Sequence, residues 1–251
     1  MRRAGSDASR LRPLAVRLRS LPAPDVLERT VPEGYVSLVV DDGTDLAVSL
    51  VRRLLESDGS VAVLCFAGCG DPDRFPGTVV VETAHSVLEE DVANALSAIR
   101  SRFRGIHTCI VPAADYASQT LGTELELARR EPLRCAFSVA REVHSSLKEA
   151  AQHGRASFMT VTTVDGELGL TGRSGSVAAG GLMGFVKTLR LEWPGVFCRG
   201  IDLDPAIDAD RGAELVMEEL LDPNRLLAEI GYGAHGRVTL VAEPVPGGVG
   251  W

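Results

Sequence analysis

Apolar residues fall in short dense runs separated by stretches in which they recur every three or four positions. The dense runs read as buried strands: Tyr35 to Val40, Ser60 to Phe66, Thr78 to Val81, Ile106 to Val111, a β-branched run ending at Thr163, and Phe197 to Leu203. Between them the helical period returns. Leu46, Leu50 and Leu54 with Val51 and Leu55 share one face; Val87, Asp91, Ala95 and Ile99 are spaced along a helix from about Ser86 to Arg102. Further helices are expected over Leu133 to Leu147, Ser176 to Trp193 and Asp210 to Leu221, the last with Ala213, Val216, Met217 and Leu220 on its face and Pro223 as its stop. Leu226 to Gly231 and Gly236 to Ala242 read as a hairpin or two edge strands. Strands alternating with helices predict an α/β, Rossmann-like fold: a mostly parallel sheet with helices on both faces. Its most regular unit is the strand, glycine-rich loop, helix and strand from Thr160 to Pro205. Gly180, Gly181 and Gly184 near the start of that helix predict close backbone packing.

The ends differ from this middle. Residues 1–33 carry Arg2, Arg3, Arg10, Arg12, Arg17 and Arg19 among Pro13, Pro22, Pro24 and Pro32, and read as a linker or docking tail. They lack the apolar core of a secretory signal. Residues 244–251, rich in Pro and Gly, read as the end of a linker, which leaves 34–243 as the folded domain.

Composition narrows the function classes. A net charge of −8 over 251 residues argues against nucleic acid or an anionic membrane as partner, because phosphates need clustered Lys and Arg. No apolar run is long enough to span a bilayer. Five cysteines, with Cys65, Cys109 and Cys198 inside strand-like runs, fit packed free thiols and a cytoplasmic setting. Cys65 and Cys69 have no His or Cys cluster beside them, so plain packing is favoured over a metal site. His144 and His153 are isolated and read as solvated or capping residues.

The turn after the first strand is where a dinucleotide fold places glycines around a pyrophosphate. Here Asp41, Asp42 and Asp45 surround a single Gly43, so the protein's own carboxylates sit where an anion would, or serve as acidic caps of the helix. Ala67 and Gly68 follow the second strand where a ribose-binding acid is expected, with Arg74 further on. Paired acids after a first strand also suggest a receiver domain. That reading lacks its phosphoacceptor, since the later strands run into Glu82, Thr83 and Pro112, Ala113.

The segment GGLMGFVKTLRLEWPGVFCRGIDLDP, with TVTTVDGELGL before it, resembles the ketoreductase region of modular polyketide and polyunsaturated fatty-acid synthases, within the short-chain dehydrogenase/reductase superfamily. The resemblance is strongest over Val161 to Pro205 and fainter over Val36 to Ala242. It implies a helix bearing a catalytic Tyr with a Lys four residues on, and a Ser or Thr about a dozen residues before the Tyr. Aligned on Leu189 and Glu192, Gly175 stands at the Tyr position, Ala179 at the Lys position, and Thr162 or Thr163 near the Ser position. Pro112, Ala113, Ala114 and Asp115 replace the Asn-Asn-Ala-Gly turn of the superfamily. Such synthases also contain a truncated, non-catalytic subdomain that buttresses the catalytic one.

The resemblance therefore implies a catalytically inactive structural subdomain with no catalytic, cofactor-binding or metal-binding residues and no cofactor. Its expected partners are a catalytic ketoreductase half or other synthase domains, met through a surface near Arg237 to Val241, whose residues alternate as in a half-buried strand. The alternative is an active NADPH-dependent ketoreductase with atypical residues, for which Tyr116 with Lys148 or Lys187 are the candidates.

Overall fold

A computed structural model describes residues 14–67, 72–113, 131–172 and 177–245. Nine strands form one sheet: β1 (Leu14–Ser20), β2 (Tyr35–Val40), β3 (Val61–Phe66), β4 (Val80–Ala84), β5 (Gly105–Ala113), β6 (Ser157–Thr162), β7 (Phe197–Leu203), β8 (Glu229–Gly233) and β9 (Gly236–Pro244). The helices are α1 (Asp45–Asp58), α2 (Glu89–Arg100), α3 (Glu131–Ala150), α4 (Val177–Glu192) and α5 (Ala209–Leu221), with one 3₁₀ turn over Pro72–Arg74. Strand order is β1-β9-β8-β7-β6-β5-β2-β3-β4. Every pairing from β4 through β8 is parallel; β9 runs antiparallel to β8, and β1 antiparallel to β9. The chain reverses its direction of travel across the sheet between β2 and β5, which is the switch point where doubly wound sheets bind ligands.

Two apolar layers hold the sheet. On one face α2, α3 and α4 bury Val92, Leu96, Val139, Val143, Leu182 and Val186 against Leu38, Leu64, Ile106 and Phe158. On the other, α1 and α5 bury Leu46, Leu50, Leu54, Val216 and Leu220 against Val39, Val63, Met159 and Ile201. Strands covered on both faces explain the unbroken apolar runs, for every residue of β2, β6 and β7 is buried. The expected strands over Tyr35–Val40 and Phe197–Leu203 have those limits. The strand expected at Thr78 lies further on, at Val80–Ala84. Cys65, Cys109 and Cys198 are buried and unbridged, and burial pushes the Cys198 thiol up to about 12.

Three expectations change. Close packing at the glycines of α4 holds only at Gly181, where an added Cβ would lie 3.3 Å from Leu133; Gly180 and Gly184 face open space. His144 is half-buried and stacks on Trp193, with ring centroids 4.8 Å apart, so it packs on an aromatic ring and is not simply solvated. The boundary at residue 33 does not mark the edge of the fold. Leu14–Ser20 forms β1, because Leu14, Val16 and Leu18 alternate with Arg17 and Arg19, a period of two that the arginine content obscured.

From β1 at one edge, residues 21–34 run beneath the sheet to β2 near its middle. Arg29 pins this strap. Its buried guanidinium pairs with Asp58 and donates to Thr108 Oγ1 at 2.8 Å, close to buried His107. His107 is the extra residue of a bulge in β5, between Ile106 opposite Val36 and Thr108 opposite Ser37. Its Nε2 lies 3.1 Å from Ser37 Oγ. Burial, then the positive charge of Arg29, lowers its pKa to about 4 against a partial offset from Asp58.

This lowered pKa makes stability depend on pH in one direction. Above pH ~6.5 the ring is neutral in folded and unfolded chains alike, and stability is full. As pH falls toward 4 only the unfolded chain takes up the proton, so stability drops, by at most about 3 kcal/mol. Asp202, whose pKa is raised to about 6, acts in the opposite sense over the same range. Urea unfolding of the native chain and of His107→Gln at pH 7 and pH 5 should therefore show this loss as a difference between the two proteins.

A second buried polar group closes the sheet on the α5 side. Glu219, fully buried, accepts from Tyr232 Oη at 2.6 Å, from Arg237 Nε at 2.6 Å, and from Arg199. Asp222 accepts from Arg199 at 3.1 Å and Arg237 at 2.6 Å. Arg237 also donates to the carbonyl of Pro22 at 2.9 Å, which ties the strap to β9.

Candidate functional site

The switch point places the turn after β2 beside the end of β5. Asp41 is buried, and its Oδ1 accepts the N–H of Gly43 at 2.9 Å. Asp42 Oδ1 accepts the N–H of Thr44 at 3.1 Å and the Thr44 hydroxyl at 2.6 Å. These two amides lead into the first turn of α1, and the carboxylates that hold them put negative charge where a pyrophosphate would approach the helix N-terminus. The N-cap of α1 is Thr44, whose side chain accepts no capping hydrogen bond from the helix, so Asp41 and Asp42 close the turn and do not cap the helix.

Arg74 completes the closure. Its guanidinium pairs with Asp41 and donates to the carbonyls of Gly43 at 3.0 Å and Thr44 at 2.8 Å. In sequence Arg74 is a loop residue, and nothing in its spacing links it to Asp41. The cleft over this turn is about 180 Å³, lined in part by Asp42, Asp45, Thr163 and Asp208. That is below the several hundred Å³ of an ordinary ligand pocket, and its lining carboxylates repel phosphate. These residues do not fit a dinucleotide cofactor.

A second hollow, about 320 Å³, lies against α4 and contains Thr162, Ala179, Lys187, Asp202 and Glu229 in its wall. Folding thus brings together the Ser-like position, the Lys position and the alternative Lys187. Their chemistry is committed elsewhere. The Thr162 hydroxyl donates to Asp202 Oδ1 at 3.1 Å and to the carbonyl of Ile201 at 3.3 Å. Lys187 Nζ lies 2.9 Å from Glu229, two helical turns beyond Ala179. Gly175, Tyr116, Cys69, Ala114 and Asp115 lie outside the described residues.

The loop from Thr163 to Gly172 forms the mouth of this hollow, and two aspartates organise it. Asp165 accepts from the N–H groups of Glu167 at 2.8 Å, Gly169 at 2.9 Å and Thr171 at 3.1 Å. Burial raises its pKa, but these bonds and the Thr171 hydroxyl outweigh it and hold the carboxylate at about 2. Asp202 accepts from Val164 N at 2.8 Å and Leu168 N at 3.0 Å. There burial wins, and its pKa is pushed up to about 6. Both carboxylates face inward on the loop's own amides, an arrangement suited to holding backbone. No group of three or more His, Cys, Asp or Glu is placed to hold a metal ion among the described residues, and none of their helices is long and apolar enough to cross a membrane.

No family model matches the chain. Over 241 residues it is 29% identical to one subunit of the polyunsaturated fatty acid synthase of Thraustochytrium sp., an alignment covering 92% of this chain and 8% of its relative. The chain therefore spans a small part of the relative's length. Among solved structures it resembles a 3-ketoacyl-(acyl-carrier-protein) reductase from Brucella melitensis complexed with NADH, at 16% identity and a TM-score of 0.60, covering 78% of this chain and 95% of that one. A citronellol catabolism dehydrogenase from Pseudomonas aeruginosa matches at 17% identity and a TM-score of 0.61, covering 82% and 95%. Such identities carry the fold, and the synthase alignment carries the relationship: the chain has the short-chain dehydrogenase/reductase fold and is related in sequence to a segment of a polyunsaturated fatty-acid synthase subunit.

Proposed function

We propose that this domain is a catalytically silent, ketoreductase-like structural subdomain of a fatty-acid or polyketide-type synthase, acting through contacts that stabilise a catalytic ketoreductase or another synthase domain. The observation that carries this reading is the turn after β2, whose amides are taken by Asp41 and Asp42 and whose carbonyls are taken by Arg74. A domain that had to admit a pyrophosphate at each turnover would keep those groups open. The alanine at position 179 adds to it, because a methyl group can neither hold a ribose nor lower the pKa of a neighbouring phenol. Kinship with a multidomain synthase supplies the setting in which such a domain has partners.

The competing reading, an active reductase with atypical residues, draws on Thr162 and Lys187 sharing one hollow. It requires Lys187 to leave Glu229 and Thr162 to leave Asp202.

Fluorescence titration with NADPH separates the two. The silent domain shows no saturable binding in the micromolar range, while a Kd at or below about 10 μM, on the order of −7 kcal/mol, would overturn the reading. Mixing the chain with a catalytic ketoreductase domain of the same synthase should raise that domain's melting temperature or its reductase rate. No change in either removes the buttressing role.

A further inference from the structure

The sheet ends in a strand whose two faces differ in chemistry. Residues directly opposite in β1 and β9 are Leu14 and Pro244, Val16 and Ala242, Leu18 and Leu240. Opposite residues share a face, so these six form one apolar surface. It lies on the α4 side, where Leu240 borders the hollow beneath Met183 and Lys187. Leu14 is 57% exposed and Val16 54%, an unusual state for a strand that alternates this regularly. On the opposite face stand Ala15, Arg17, Arg19 and Glu243, with Arg17 in one loose ion pair to Glu243 at 3.8 Å. Two cations against one carboxylate leave this face positive, in a chain whose net charge is −8.

Among the described residues the outer edge of β1 is also open. Leu21 N–H donates to the carbonyl of Arg237 at 2.8 Å, and Leu21 follows directly on β1. By the alternation of an antiparallel ladder, the N–H and C=O groups of Val16, Leu18 and Ser20 then point away from β9. β1 is the last strand in the sheet order. Natural edges of this kind are shortened, bulged, covered or charged; this one runs seven residues without a bulge, and its only charges, Arg17 and Arg19, are of one sign.

We propose that β1 is a docking edge for an extended segment of another synthase domain, a strand that places apolar side chains on the α4 face and Asp or Glu on the face of Arg17 and Arg19. The proposal rests on the reading that this domain serves a neighbouring one. Charge selects the occupant. A second copy paired edge to edge about a two-fold axis would set Arg17 and Arg19 against their own counterparts, and like charges across a strand pair oppose pairing. An acidic strand meets both arginines favourably, while its apolar residues extend the surface of Leu14, Val16 and Leu18.

Two synthetic ten-residue peptides test this, one alternating Val with Glu and the other Val with Lys. At low ionic strength the Glu peptide should bind at least about tenfold more tightly than the Lys peptide. Its binding should slow hydrogen exchange at Val16, Leu18 and Ser20. The double variant Arg17→Glu, Arg19→Glu, which changes only exposed side chains, should reverse the preference. Equal affinities, no saturable binding of the Glu peptide by about 1 mM, or a preference untouched by the double variant would overturn the proposal. So would slow exchange at those three amides in the chain alone, because residues of the chain itself would then cover the edge. Peptide binding that persists while a catalytic ketoreductase domain remains unaffected by the chain supports the docking edge and removes the buttressing role, so the two failures are told apart.

Discussion

Glu219→Gln is expected to lower stability by about 3–5 kcal/mol at neutral pH, the largest loss expected of a single substitution in this chain. The side chain is fully buried and keeps its shape in the variant, so packing barely changes. What is lost is charge. In the native protein two guanidiniums, Arg199 and Arg237, face two carboxylates, Glu219 and Asp222. The variant leaves two buried cations on one carboxylate, and the new amide N–H₂ points at donors. In the native protein burial would lower the pKa of Arg237, and Glu219 with Asp222 outweighs it. Without Glu219 the guanidinium still cannot escape by losing its proton at neutral pH, because arginine titrates far above that range. At roughly 2–4 °C per kcal/mol for a chain of this size, the melting temperature should fall by about 6–20 °C. Replacing both arginines and both acids by apolar residues of similar volume should cost less than Glu219→Gln alone, because no charge is then left unpaired. A loss under about 1 kcal/mol on urea unfolding of Glu219→Gln would show that water reaches the group.

Gly166→Ala is expected to be nearly as costly, for a different reason. Gly166 has φ +70°, and a Cβ there would sit 2.1 Å from the carbonyl oxygen of Tyr232 and 2.8 Å from the amide nitrogen of Asp204. Both are backbone atoms that bond to each other at 2.9 Å, so neither moves without opening the end of the β7–β8 ladder. The left-handed conformation costs alanine roughly 1–2 kcal/mol, and forcing the loop away from β8 about 1–3 kcal/mol more. The neighbouring Gly169 supplies the control. Its φ is +81°, but a Cβ there meets nothing within 4 Å, so Gly169→Ala should lose the backbone part alone. Thermal melts of the two variants measure the difference. If they melt together, contact of the loop with β8 contributes nothing.

The main architecture was legible because each buried strand is a continuous apolar run and each helix shows a face. β2 and β7 could be read residue by residue, since strands covered on both sides leave no polar position to blur their limits. β1 was not legible, because an edge strand exposes half of its residues and the alternation of Leu14, Val16 and Leu18 sat among arginines and prolines that resemble a linker. At the site, the acidic turn after β2 was legible as a local motif. Its closure by Arg74 was not, because Arg74 lies 33 residues from Asp41 and only folding brings them together. The paired arginines and acids of α5, β7 and β9 escaped for the same reason. In sequence Arg199, Glu219, Asp222 and Arg237 are ordinary charged residues, and nothing local marks them as buried.

Because β1 pairs with the last strand of the sheet, this edge also sets an order of events during synthesis. Pro22, just past β1, contacts Arg237, which lies 215 residues later. At about 5–20 residues per second the ribosome delivers that partner roughly 10–40 s after β1 has emerged. Meanwhile β2, α1, β3 and β4 can already pair with near neighbours in the chain, since their contacts span short separations. Of the strands described in this domain the earliest made is thus among the last to find its place, and Leu14, Val16 and Leu18 spend that interval as an unpaired apolar segment. Arginine and proline around them keep such a segment from pairing with nascent chains nearby.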